Sequence, residues 1–130
     1  MSGLASEALA RRLAELADSK KAEDVVALDM RGLVSYTDFL VICTARNERQ
    51  AGAIVEEVEV RLKRDEGLLS GGAEGEGSAG WVLLDYLDAV LHVQTPDARD
   101  RYRLEELWRE APRLDLGLGD GVASGSAATA

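Results

Sequence analysis

The chain has 130 residues and a mass of 14.0 kDa, which suits one domain and excludes two domains of ordinary size. Apolar residues make up 46% of the chain and charged residues 30%, a balance that is typical of a globular protein rather than a disordered one. The 24 acidic and 15 basic residues give a net charge of −9, which repels phosphate backbones and argues against direct binding of RNA or DNA.

The first part of the chain predicts one helix and two strands. Apolar residues recur at helical spacing over residues 5–17, with charged residues on the opposite side. Residues 25–28 and 39–43 are short continuous apolar runs, a pattern that is typical of strands covered on both faces. A turn at residues 31–33 separates them. The two runs together predict a central, buried sheet.

A second helix is predicted behind Asn47 and Gln50, which match a capping box. Its apolar stripe covers residues 51–62, and Gly67 is well placed to end it. An acidic, glycine-rich loop follows this helix. A further short strand near residues 68–69 remains an open alternative.

The next apolar runs, residues 81–84 and 89–93, are separated by four residues and predict a β-hairpin. Thr95 and Pro96 then predict a helix start, because threonine is a good N-cap and proline suits the first helical position. That helix takes its apolar contacts from residues as far as Trp108.

This order of elements predicts an α/β fold, with a mixed β-sheet and helices on both faces. Residues 1–112 are expected to form a single domain. Residues 113–130 are rich in Gly, Ala, Ser and Thr and are expected to form a disordered tail. We expect a cytoplasmic protein, because the sequence shows neither a secretory signal nor an apolar stretch of about 20 residues.

Residues 75–80 read G-x-G-x-x-G, the spacing of a dinucleotide-binding fingerprint. That fingerprint works after a strand and at the start of a helix, where backbone N–H groups and the helix dipole meet pyrophosphate. Here the glycines lead into a predicted strand, and Glu74 and Glu76 would repel a phosphate. The segment is therefore interpreted as a flexible loop.

Asp38, Asp85 and Asp88 are candidate Mg²⁺ ligands, although a hard-cation site usually needs more oxygen ligands. The favoured alternative is that Asp85 and Asp88 cap and solvate a turn. One histidine, His92, and one cysteine, Cys43, exclude a zinc site and a catalytic triad. We expect His92 to be packed or hydrogen-bonded, and burial to leave the Cys43 thiol inert.

Alternation divides the first hairpin strand into two faces, one with Trp81, Leu83 and Asp85 and the other with Val82, Leu84 and Tyr86. Because the first face ends in a carboxylate, we expect that end to reach solvent. Trp81 is then either a cap on the core or an exposed anchor for a partner, and the pattern alone favours neither. Tryptophan is nevertheless enriched in binding hot spots.

Three separated blocks carry a resemblance. The first block comprises residues 20–29 (KKAEDVVALD), 31–33 (RGL) and 36–43 (YTDFLVIC). The second comprises residues 74–75 (EG), 81–86 (WVLLDY), Asp88 and residues 90–93 (VLHV). The third is residues 102–108 (YRLEELW). These residues resemble the ribosomal silencing factor RsfS (Iojap) family. The resemblance covers residues 4–112 in matching order and spacing.

The resemblance implies a binding protein and not an enzyme, with no cofactor. Family members bind ribosomal protein L-fourteen on the large subunit, at the face that meets the small subunit. They block subunit joining sterically and lower translation when nutrients are scarce. The implied fold is nucleotidyltransferase-like without the catalytic motif, and a homodimer is possible because the family contains dimers.

Carried over, the family's contact residues are Trp81, Asp85 and Tyr86. We hypothesise that Trp81 packs on an apolar patch, while Asp85 and Asp88 face basic side chains. The family usually has glycine at Leu87, so the leucine either redirects the turn or adds an exposed apolar contact. The expected partner-binding set is therefore Trp81, Asp85, Tyr86, Leu87 and Asp88.

The rival hypothesis is a nucleotidyltransferase-like, Mg²⁺-dependent enzyme that uses Asp38, Asp85 or Asp88. Such an enzyme would bind ATP–Mg²⁺ and lose activity when one of these aspartates is changed to asparagine, whereas a ribosome-binding factor would ignore the nucleotide.

Overall fold

In the computed structural model, which describes residues 5–75 and 80–118, one five-stranded sheet has the strand order β1-β2-β5-β4-β3. β2 and β5 pair in parallel and the other pairs are antiparallel, so the sheet is mixed. No helix in this described part is long and apolar enough to cross a membrane. The elements are α1 (Ser6–Ser19), β1 (Glu23–Asp29), β2 (Phe39–Thr44), α2 (Glu48–Glu66), β3 (Ala73–Glu74), β4 (Trp81–Asp85), β5 (Ala89–Gln94), α3 (Pro96–Tyr102) and α4 (Leu104–Leu107).

Two apolar clusters cover the two faces of the sheet, as alternation along buried strands requires. On one face, Phe39 and Val41 of β2 belong to the same cluster as buried residues of α1 and α2. On the other face, Leu40 and Ile42 belong to a smaller cluster, against which Leu104 of α4 packs. Helices therefore lie on both faces, and the predicted α/β fold is confirmed.

The start of α2 confirms the predicted capping residues. The Asn47 side chain accepts a hydrogen bond from the Gln50 N–H at 2.9 Å. The Gln50 amide in turn accepts from the Arg46 N–H and donates to the Lys20 carbonyl, which fastens α2 to the end of α1. Gly67 ends the helix in the left-handed conformation, with φ of 69°.

Two features differ from the sequence-based expectations. The additional strand, β3, lies at Ala73–Glu74 rather than near residues 68–69. The last helix is two helices, because Arg103 takes a left-handed conformation, with φ of 48°, that ends α3 before α4 begins. β1 lies at the edge of the sheet.

The free edge of β1 is covered by the segment that follows α4. The Asp29 N–H donates to the Pro112 carbonyl at 2.7 Å, and the Leu114 N–H donates to the Ala27 carbonyl at 2.9 Å. Leucines of residues 113–118 also pack against the larger apolar cluster. This part of the expected tail therefore adds to the sheet edge, which satisfies backbone groups that an edge strand would otherwise expose.

Part of the expected tail, residues 119–130, and part of the expected flexible loop, residues 76–79, lie outside the described residues. At the borders of that loop, Gly75 and Gly80 have φ of 87° and 69°. A Cβ atom on Gly75 would overlap the Trp81 carbonyl oxygen, and one on Gly80 would overlap the Thr95 hydroxyl. Close backbone packing therefore explains these two glycines of the fingerprint-like spacing without a phosphate.

Candidate partner-binding surface

One face of β4 carries Trp81 and Asp85 of the expected set, with Leu83 between them. Trp81, Leu83 and Asp85 are each partly exposed, whereas the intervening Val82 and Leu84 are buried. This alternation confirms the predicted division of the strand into two faces. β3, the neighbour of β4 at the sheet edge, is only two residues long, so the described sheet extends little beyond β4.

Trp81 is held in one orientation by its neighbours. The indole Nε1 donates a hydrogen bond to Nδ1 of His92 at 3.1 Å. The indole ring also packs against Tyr102 of α3, with ring centroids 4.5 Å apart. Trp81 therefore combines the two alternatives, because it is fixed against the fold and still partly exposed. An aromatic side chain fixed in this way loses little conformational entropy when it binds.

His92 is a neutral hydrogen-bond acceptor at this site. Because the indole N–H can only donate, Nδ1 of His92 must carry its lone pair. Burial lowers the pKa of His92 to about 4, which keeps the ring neutral at pH 7. The expectation that this histidine is packed and hydrogen-bonded is confirmed. Burial also raises the pKa of the Cys43 thiol to about 12, as expected for an inert cysteine.

The β4–β5 turn exposes Leu87 in an unusual backbone conformation. Leu87 has φ of 69°, and the residue is 72% exposed. The turn is stabilised by Asp85, whose side chain accepts a hydrogen bond from the Leu87 N–H at 2.7 Å. A left-handed leucine costs about 1–2 kcal/mol relative to an ordinary backbone conformation. Leu87 therefore adopts the conformation usually left to glycine and presents an apolar side chain to solvent.

Tyr86 is placed differently from the other members of the expected set. It is only 7% exposed and belongs to the larger apolar cluster. Burial, with a smaller contribution from the charge of Glu59, raises the pKa of Tyr86 to about 12. Its hydroxyl has no hydrogen-bond partner within the described part of the chain. The structure thus places Trp81, Asp85, Leu87 and Asp88 at the surface and Tyr86 beneath it.

The three candidate magnesium ligands do not form a metal site. The Asp88 carbonyl accepts a hydrogen bond from the Asp38 N–H at 3.1 Å, so their backbones are in contact. However, among residues 5–75 and 80–118 no three His, Cys, Asp or Glu side chains are grouped so that they could hold a metal ion. The bond from Asp85 to the Leu87 N–H supports the turn-capping interpretation of that carboxylate.

Two exposed tyrosines lie outside the set of contact residues expected from the sequence. Tyr102 packs on Trp81 from α3, although 21 positions separate them and no local pattern relates them. Tyr36, in the β1–β2 loop, is 63% exposed. An aromatic residue between Ser35 and Thr37, outside both apolar runs, is a signal that could have identified it.

Comparison with known sequences gives a consistent family. The family model described as "Ribosomal silencing factor during starvation" matches residues 4–129. A ribosomal silencing factor RsfS from Halalkalibacterium halodurans is 42% identical over 82% of this chain and 88% of its own length. One from Bacillus subtilis is 40% identical over 78% and 86%. The chloroplastic protein Iojap of Arabidopsis thaliana is 33% identical over 88% of this chain and 48% of its own length.

Solved structures support the fold. A crystal structure of a protein from Chromobacterium violaceum matches with a TM-score of 0.77 and 31% sequence identity, covering 89% of this chain and 95% of that one. Another, from Bacillus halodurans, matches with a TM-score of 0.72 and 38% identity, covering 85% and 99%.

Proposed function

This chain belongs to the RsfS family of ribosomal silencing factors, and we propose that it acts by binding ribosomal protein L-fourteen through the outward face of β4 and the β4–β5 turn. As a member of that family it is a non-enzymatic translation regulator that binds the large ribosomal subunit. The magnesium-dependent enzyme considered as the rival hypothesis is therefore set aside.

One observation supports this surface above all others. The oriented indole of Trp81 lies on the same strand face as Asp85, and the exposed Leu87 follows at the turn. Such a combination of apolar anchors and carboxylates complements a basic protein surface with an apolar patch. The net charge of −9 disfavours neighbouring phosphate, so it directs the protein to exposed ribosomal protein rather than to RNA.

Each member of the surface has a distinct role in the proposal. Trp81 is the central apolar anchor, and Leu87 extends the apolar contact at the turn. Asp85 and Asp88 face basic side chains of the partner. Tyr86, which is buried, supports the turn from beneath and makes no direct contact.

The inhibition itself is proposed to be steric. L-fourteen lies at the face of the large subunit that meets the small subunit, so a bound domain of this size occupies space needed for joining. No bond is made or broken in this account. The same exposed surface is available to a second copy of the chain, and we propose that self-association competes with ribosome binding. The proposed site of action is the cytoplasm.

A sucrose-gradient experiment tests this function. Purified protein mixed with separated subunits is expected to sediment with the large subunit and not with the small one. Raising the salt concentration should weaken this binding less than it weakens that of an RNA-binding protein, because few phosphate contacts are formed. A steep loss of affinity with salt would instead indicate phosphate contacts and would contradict the protein-directed surface.

Leu87→Gly is expected to relieve the backbone strain at this position. The effect on stability is measured separately from the effect on binding. Leu69 is the matched control, because it is also 72% exposed but is not among the residues with positive φ. Leu87→Gly should be more stable than Leu69→Gly by about 1–2 kcal/mol, since only the first substitution relieves a left-handed leucine. Urea unfolding measures this difference.

The two variants should also differ in binding. Leu87→Gly is expected to bind the large subunit more weakly than the wild-type protein, whereas Leu69→Gly should bind equally well. Equal stability of the two variants would show that Leu87 is not strained. Unchanged affinity of Leu87→Gly would remove this residue from the contact surface.

A further inference from the structure

The loop between β1 and β2 presents a second apolar surface beside the turn. In this loop, residues 30–38, Tyr36 is 63% exposed and Leu33 is also exposed. Large exposed apolar side chains that lie together on a soluble domain commonly mark an interaction site.

Backbone hydrogen bonds fasten this loop to the β4–β5 turn. The Asp88 carbonyl accepts from the N–H groups of both Asp38 and Phe39, at 3.1 and 3.2 Å. β2 and β5 are neighbours, and Phe39 is paired with Ala89, so the loop and the turn lie at the same end of the sheet. On the loop side this link begins at Asp38, two residues after Tyr36. On the turn side it is formed by Asp88, the residue after Leu87.

The loop is also closed on itself. The Met30 N–H donates to the Asp38 carbonyl at 2.8 Å, and the Leu33 N–H donates to the Met30 carbonyl at 2.9 Å. Met30 is fully buried, which anchors the base of the loop in the core. Tyr36 and Leu33 are consequently carried by a loop of defined shape, which lowers the entropic cost of binding through them.

We infer that Tyr36 and Leu33 form, together with Leu87, a second apolar contact for the ribosomal protein surface that binds β4. This inference rests on the proposed function and adds a loop that lies outside the expected partner-binding set. Asp38 and Asp88, whose backbones join the loop to the turn, add two carboxylates to this end of the sheet. The fitting partner therefore has basic side chains around an apolar patch. The same carboxylates disfavour RNA at this end of the sheet.

Tyr36→Ser tests the inference in the full-length chain, with binding measured by sedimentation with purified large subunits. Because the Tyr36 side chain is exposed, the variant is expected to fold normally and to lose about tenfold in affinity, as tyrosine contacts at interfaces commonly do. Tyr36→Phe should retain most of the affinity if the ring supplies the contact. Val60→Ser is the control, since Val60 is 51% exposed on α2 and lies outside the loop and turn.

The outcomes distinguish this inference from the proposed function. If Trp81→Ala weakens binding while Tyr36→Ser binds like Val60→Ser, the loop contact is wrong and the β4 surface stands. If the wild-type protein does not bind the large subunit, both are wrong. If Tyr36→Ser abolishes a dimer seen by analytical ultracentrifugation but leaves subunit binding unchanged, the loop serves self-association and the inference is overturned.

Discussion

Trp81→Ala is expected to weaken binding to the large ribosomal subunit by at least about 30-fold, which corresponds to roughly 2 kcal/mol. The reason is that the indole is both partly exposed and already oriented by His92 and Tyr102. A partner that covers it gains apolar contact and pays little to order the side chain. Titration of labelled protein with purified large subunits measures the change in dissociation constant.

Trp81→Phe provides the matched control for this experiment. It keeps an aromatic ring beside Tyr102 but removes the N–H that donates to His92. Its affinity is expected to lie between those of the wild-type protein and Trp81→Ala. Circular dichroism must show that both variants are folded. A folded Trp81→Ala variant with wild-type affinity would show that the indole is only a cap on the core.

Acidification from pH 7 to pH 4 is expected to lower the free energy of unfolding by about 3 kcal/mol through His92 alone. Burial lowers the pKa of this histidine from 6.5 to about 4 in the folded protein. Between these values the unfolded chain binds a proton that the folded chain does not. The contribution is therefore fully present above pH 6.5 and is lost progressively as the pH falls towards 4.

His92→Gln isolates this contribution from the titration of carboxylates. Glutamine cannot take up a proton in this range, and its amide oxygen is able to accept a hydrogen bond from the Trp81 indole. Urea unfolding at several pH values should show the free energy of unfolding of the wild-type protein falling more steeply than that of the variant below pH 6.5. Parallel profiles would mean that folding does not lower the pKa of His92.

The parts of the fold that local sequence determines were predictable. The capping box at Asn47 and Gln50 involves residues three positions apart, and Gly67 ends α2 because glycine favours the left-handed conformation. The two faces of β4 follow from strand alternation. The same alternation placed Trp81 and Asp85 on the more exposed face of the strand.

The remaining features depend on contacts between distant parts of the chain. β3 has two residues, too few to show an alternating pattern, and exists because Ala73 pairs with Leu84. Arg103 interrupts the last helix although its residue type favours helix. For Tyr86, strand alternation predicts a side chain on the face opposite Trp81, whereas the family resemblance implies a contact residue. The burial of Tyr86 agrees with the prediction from alternation.

In the glycine-rich segment, close contacts within the protein are enough to require glycine at Gly75 and Gly80. Gly75 lies so close to the Trp81 carbonyl, and Gly80 so close to Thr95, that a side chain at either position would overlap its neighbour. A sequence pattern records that glycine is required but not what approaches it. Here the approaching atoms belong to the protein itself.

A subunit-joining assay tests the central claim most directly. Purified small and large subunits are mixed at a magnesium concentration that favours joining, and light scattering follows the formation of whole ribosomes as the protein is added. The account predicts that joining falls in step with occupancy of the large subunit, without nucleotide, and that Trp81→Ala shifts the curve to higher concentration. Subunits that join normally while the large subunit is saturated with the protein would contradict it.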